Sequence, residues 1–164
     1  MVMGRVIFTV ACAVFSFAGV AYASPLPNGG VTADEIAAVL KTKGLVAEIG
    51  KDSEGDPVIT TSVDEVNFWI YFYGCKAGRC TSIQFSKGYD LDKGLSFEQA
   101  NEWNYEFRFG KMSMDNEKDP YVKMDLNVEK GATTELIDDN LDLWFAVLYA
   151  CGEFLDKAEK QVRT

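Results

Sequence analysis

Residues 66–87 read Val66-Asn67-Phe68-Trp69-Ile70-Tyr71-Phe72-Tyr73-Gly74-Cys75-Lys76-Ala77-Gly78-Arg79-Cys80-Thr81-Ser82-Ile83-Gln84-Phe85-Ser86-Lys87. Two runs rich in aromatic and β-branched residues flank the four-residue loop Lys76-Ala77-Gly78-Arg79, which predicts a hairpin with strands Val66–Gly74 and Cys80–Lys87. If Cys75 faces Cys80 across the ladder, Phe72 meets Ile83 and Ile70 meets Phe85 on one face. Tyr73 then meets Ser82, and Tyr71 meets Gln84, on the other face together with the cysteines. A slip of one residue would scramble both faces. The cysteine pair and the apolar pattern therefore favour one register independently. A disulfide closing so short a loop should stabilise the fold by about 2 kcal/mol. A redox couple fits less well, because the thioredoxin-like motif places two residues between its cysteines and starts a helix.

Outward from this hairpin, the pattern predicts three helices and three hairpins. Thr32-Ala33-Asp34-Glu35 is a capping box opening a helix to about Lys43, with Ile36, Val39 and Leu40 on one face and Gly44 ending it. Leu45–Gly50 and Val58–Val63 read as a hairpin across the turn Asp52-Ser53-Glu54-Gly55-Asp56-Pro57. Ser96-Phe97-Glu98-Gln99 is a second capping box, opening a helix to about Arg108. A third hairpin joins Lys111–Asp115 to Tyr121–Val128, where Val122, Met124, Leu126 and Val128 alternate with polar residues. From Thr134 to Val162, Ile137, Leu141, Trp144, Leu148, Cys151, Leu155 and Ala158 recur at steps of four and three, the stripe of a long amphipathic helix. The order α-β-β-β-β-α-β-β-α predicts an α+β domain with a largely antiparallel sheet of hairpins and packed helices.

The N-terminus reads as an export signal. Arg5 precedes an uncharged apolar run, Val6 to Val20, and Ala21-Tyr22-Ala23 presents small residues to a signal peptidase, leaving Ser24 first. A lipoprotein would use Cys12, but Thr9-Val10-Ala11 lacks the leucine of a lipobox. Three segments are thus expected: a signal at 1–23, a flexible Pro/Gly-rich linker at 24–31, and one domain at 32–162, exported to the periplasm or medium. Export makes the disulfide plausible. Removing Arg5 from the 16 Lys and Arg leaves 15 against 25 Asp and Glu, a formal charge of −10. Such a surface disfavours nucleic acid and, once the signal is gone, anionic membranes. The chain has no histidine, which excludes Ser-His-Asp and Cys-His catalysis and His-ligated zinc.

The remaining constellations carry little chemistry. The turns Asp52-Ser53-Glu54-Gly55-Asp56-Pro57 and Asp115-Asn116-Glu117-Lys118-Asp119-Pro120 alternate carboxylates as a calcium site does, yet neither has the EF-hand's glycine and glutamate positions. Both read as acidic turns ahead of a proline. Cys151 sits on an apolar stripe without a base nearby and reads as a buried small hydrophobe. No phosphate loop, nucleophile elbow or metal motif is present, so no catalytic residue, metal or cofactor is expected. Trp69, Tyr71 and Tyr73 lie on the face of the second hairpin opposite its core. A helix is the expected cover, with exposure marking them as a partner-binding face.

The stretch Tyr73-Gly74-Cys75, then Arg79 to Phe85, Asn101-Glu102-Trp103-Asn104, Arg108-Phe109-Gly110-Lys111, Met124-Asp125 and Leu143-Trp144 resembles the YbjN-domain family. Its members are labelled bacterial sensory transduction regulators. The resemblance spans about residues 32–158, and the Asn-x-Trp-Asn segment is its most telling part. The order of elements is also similar to that of type III secretion chaperones. The resemblance implies a non-enzymatic regulator or chaperone-like module that binds a protein, with a homodimer among the assemblies to test. The alternative expectation is a periplasmic sensor for a small ligand or divalent cation.

Overall fold

The computed structural model describes residues 24–162, so the expected signal at 1–23, with Cys12, lies outside the described residues. The elements are α1 (Ala33–Thr42), β1 (Glu48–Lys51), β2 (Pro57–Val63), β3 (Val66–Lys76), β4 (Arg79–Gly88), α2 (Phe97–Glu106), β5 (Lys111–Met114), β6 (Pro120–Asn127) and α3 (Thr134–Val162). This is the expected α+β order. Both capping boxes form, at Thr32/Glu35 and at Ser96/Gln99.

The six strands make one antiparallel sheet in the order β1-β2-β3-β4-β6-β5. The β3–β4 register is the expected one: Ile70↔Phe85, Tyr71↔Gln84, Phe72↔Ile83, Tyr73↔Ser82 and Cys75↔Cys80. The connecting turn is tighter than the loop read from sequence. Lys76 pairs with Arg79, and only Ala77 and Gly78 turn, both at positive φ. The β4–β6 contact was not anticipated. It brings Met124 opposite Phe85 and Leu126 opposite Ile83, which extends the apolar face across the sheet.

One face of the sheet carries the core. Ile59, Phe68, Ile70, Phe72, Ile83, Phe85, Met112 and Val122 are buried there, and α3 lies across them. Every residue of the predicted α3 stripe is buried, from Ile137 to Ala158. Trp144 anchors the contact, stacking on Phe85 at 5.8 Å and meeting Phe68 edge-on at 6.0 Å. On one flank, α1 joins α3 through Lys43, whose Nζ lies 3.0 Å from Asp138 and 2.6 Å from Asp142. On the other flank, Trp103 of α2 meets Phe154 of α3 at 5.5 Å. All three helices thus form one layer on one side.

Two expectations change in detail. The cysteines do not stay with Tyr71 and Tyr73: Cys80 is wholly buried in the core cluster and Cys75 packs against that cluster, while Tyr73 is 43% exposed. Gly74 lies between them at φ +64°, breaking the strand's alternation. A Cβ there would come within 2.3 Å of Thr81 Oγ1, so glycine is required twice over. Residues 24–31, read as a linker, are bonded into the fold. Pro25 bridges to Thr133 and Val31 to Cys80, and Leu26 N donates to Ala132 O at 2.9 Å. Val31 is fully buried. Composition gave no sign of these partners, which come from distant parts of the chain.

The β2–β3 turn places Asp64 and Glu65 at φ +48° and +66°. A two-residue turn of this type favours glycine at its second position, because a Cβ is disfavoured at positive φ. Glu65→Gly should therefore raise the stability by about 1 kcal/mol, read as a higher urea midpoint with an unchanged slope.

Candidate functional site

Among the described residues, no helix covers the sheet face opposite α1, α2 and α3. Strand alternation places Trp69, Tyr71 and Tyr73 of β3 on it, flanked by Val58 and Thr60 of β2 and by Ser82, Gln84 and Ser86 of β4. Lys123, Asp125 and Asn127 of β6 continue it. Among the described residues the expected helix cover is absent, because α1 and α2 each pack beside α3 and so sit on the core side. Trp69 and Tyr71 are half-buried by their neighbours in the sheet, and Tyr73 is exposed. Gln84 organises the polar flank: its Nε2 donates to Asp125 Oδ1 at 2.7 Å, and Tyr73 Oη approaches its Oε1 at 3.5 Å. Partial burial, ahead of the charges of nearby residues, holds the Tyr73 phenol above its ordinary pKa. The face therefore offers an aromatic stripe with hydrogen-bonding groups beside it.

The disulfide sits at one end of that stripe and serves a second arrangement. Arg79, at the hairpin tip next to Cys80, makes a two-pronged ion pair with Glu35, Nη1 to Oε1 at 3.1 Å and Nη2 to Oε2 at 3.0 Å. The same guanidinium donates to the carbonyls of Pro27 (3.1 Å) and Gly30. Glu35 Oε2 also accepts from Thr32 N at 2.8 Å, as the capping box requires. One side chain thus ties the hairpin tip, the start of α1 and the N-terminal segment together. The Cys75–Cys80 bond fixes the strand ends from which it reaches. Arg79 enters the sequence pattern only through the hairpin loop and the stretch Arg79 to Phe85, and nothing local to it announces Glu35 as its partner.

The Asn-x-Trp-Asn segment has an architectural role. Trp103 is fully buried, stacks on Phe107 at 4.0 Å and donates its indole N–H to Gly110 O. Asn104 acts as a substitute strand: its Oδ1 accepts from Met112 N at 2.8 Å and its Nδ2 donates to Met112 O at 3.0 Å. These bonds dock α2 on the outer edge of β5.

The two acidic turns are built alike. Asp52 Oδ1 accepts from Glu54 N and Asp56 N, and Asp115 Oδ1 accepts from Glu117 N and Asp119 N. Their leading carboxylates hold turn backbone. Among the described residues no group of three or more His, Cys, Asp or Glu is placed to hold a metal. Cys151 is fully buried, and burial pushes its thiol up to about 12, against smaller opposing effects of Tyr89 and Lys87. The Tyr89 hydroxyl, itself raised by burial, lies against this thiol without a complete hydrogen bond.

The fold defines a small two-layer α+β protein whose described helices lie on one side of the sheet. The family model described as "Putative bacterial sensory transduction regulator", YbjN, matches residues 32–157, and the chain belongs to this family. The description is of a regulator, not an enzyme. Among curated proteins, none matches the chain.

Two outcomes follow from this geometry. Asn104→Ala removes both bonds to Met112 and should cost about 2 kcal/mol, with exchange protection at the Met112 amide lost first. Cys151 should stay silent to a thiol reagent until the protein unfolds. Its folded pKa exceeds the unfolded value near 9.0, so its contribution is fully present below pH 9 and declines as pH rises towards 12. Urea unfolding at pH 7, 9 and 10.5 should show a shallower loss of stability for Cys151→Ala than for the parent.

Proposed function

We propose that this protein is an exported, non-catalytic regulator of the YbjN family that acts by binding another protein across its helix-free sheet face. The observation that carries the reading is the placement of all three described helices on one side, which leaves Tyr73 exposed and Trp69 and Tyr71 half-buried on the other. Aromatic residues with a polar margin are favoured where proteins meet, since they bury much area at low entropic cost. The acidic charge favours a partner with a basic surface. Export is supported by the Arg5, Val6–Val20 and Ala21-Tyr22-Ala23 pattern and by the disulfide. Ser24, the expected first residue after cleavage, is itself bonded into the fold, its carbonyl accepting from Thr134 N at 3.1 Å.

Two measurements test the reading. Intact mass of the protein recovered outside the cytoplasm should correspond to a chain starting at Ser24; a full-length cytoplasmic species would refute export. Capture from the same compartment should retain a defined partner with the parent protein, lose it with Tyr73→Glu, and keep it with Tyr149→Glu on the helix side. Equal retention by all three, or no retained protein, would refute the binding face.

A further inference from the structure

The two edges of the sheet differ. At the β5 edge, the outward N–H and C=O of Met112 are filled by Asn104. At the β1 edge no described residue fills them. Asp52 N donates to Asp56 O at 2.9 Å, so Asp52 is an inward-bonding residue of the β1–β2 ladder. Inward and outward residues alternate along an antiparallel strand, so Glu48 and Gly50 bond to β2 while Ile49 and Lys51 direct their backbone groups away. The turn after β2 agrees, because Val63 and Val66 close a two-residue hairpin and Ile59 and Thr61 bond in step with them to β3. The outward groups of Ile49 have no backbone partner among the described residues. Its side chain is 48% exposed, and Val46, just before the strand, is 75% exposed. An open strand edge with exposed apolar side chains is a template for another strand.

The geometry points to a second copy of this chain as the occupant, paired through β1 about a two-fold axis at Ile49. An antiparallel pair of identical strands has its axis perpendicular to the sheet, which keeps both helix layers on one side. Facing residues must then share a face, so each odd position meets an odd one and each even position an even one. Centring on Glu48 sets two carboxylates opposite each other, and centring on Lys51 sets two ammonium groups opposite. Centring on Gly50 sets Glu48 against Asp52 and Ile49 against Lys51. Centring on Ile49 sets Ile49 against Ile49, Glu48 against Gly50, Ala47 against Lys51 and Val46 against Asp52. That register has no like-charge pair, and it matches an apolar side chain with its equal at the axis. It also lets the two Ile49 residues exchange both outward hydrogen bonds. A neighbour of different sequence has no such constraint in its favour. The contact is short, so the dimer is weak and reversible. The net charge opposes it, so association strengthens as salt rises.

Sedimentation velocity on the purified protein over a concentration series, at low and high salt, tests this. The expected result is a reversible monomer–dimer equilibrium. Ile49→Lys should weaken it at least tenfold, a change of about 1.4 kcal/mol. Ile49→Pro should do the same, since it removes the outward N–H and no bond to β2. Far-ultraviolet circular dichroism and the urea midpoint verify that each variant is folded. Ile49→Cys should yield a disulfide-linked dimer on mild oxidation, because a hydrogen-bonded facing pair has a Cα separation of about 5.5 Å. Val46→Cys, displaced from the axis, should not. A monomer at every concentration, or a dimer that Ile49→Lys leaves unchanged and Ile49→Cys does not cross-link, would overturn the proposal. Binding of only an unrelated extended peptide at this edge would overturn it as well.

Discussion

The pairing of β3 with β4 governs the rest of the molecule. With Phe72 opposite Ile83 and Ile70 opposite Phe85, one side of the sheet becomes a continuous apolar surface. That surface takes Trp144, and through Trp144 the whole length of α3. Moving either strand by one position would put Tyr71 and Gln84 beneath the helix and leave Phe72 in water. The same parity forces Trp69, Tyr71 and Tyr73 outward. The open face is thus a by-product of how the core is made, and its aromatic character is a separate choice of the sequence.

Residues that look like a functional signature here hold elements in place. Trp103 and Asn104 are neighbours on α2 and reach two successive parts of the chain, Gly110 and Met112. Gly110 lies at φ +77°, and a Cβ there would come within 2.5 Å of Val147 Cγ1, so α3 can pass close over the turn. Arg79 does comparable work at the other end, where four acceptor contacts join one hairpin tip, one helix start and one incoming segment. The family match over residues 32–157 covers Arg79, Trp103 and Asn104, which make these contacts.

Local patterns were readable in the sequence where the physics is local. The capping boxes at Thr32 and Ser96, the period of α3 and the alternation of β6 depend on neighbours within a few positions, and each appears as expected. The β3–β4 register was also readable, since a disulfide and an apolar pattern agree on it. Features set by distant partners were not. Nothing near Val31 announces Cys80 as its neighbour, and nothing in β6 announces that it will insert between β4 and β5. The turn of Cys75 towards the core follows a positive φ at Gly74, which composition does not show. The open face itself was visible as an aromatic alternation, but whether a helix covers it depended on where three helices settle together.

The substitution of a side chain for a strand at Met112 has a consequence for assembly. A sheet with two free margins can add units at both ends, and repeated addition leads to a fibre. Asn104 stops growth at one margin, as a terminator stops a polymer. Whatever joins the remaining margin, the stack ends there. An aromatic-rich sheet can in this way remain in a crowded compartment without propagating itself.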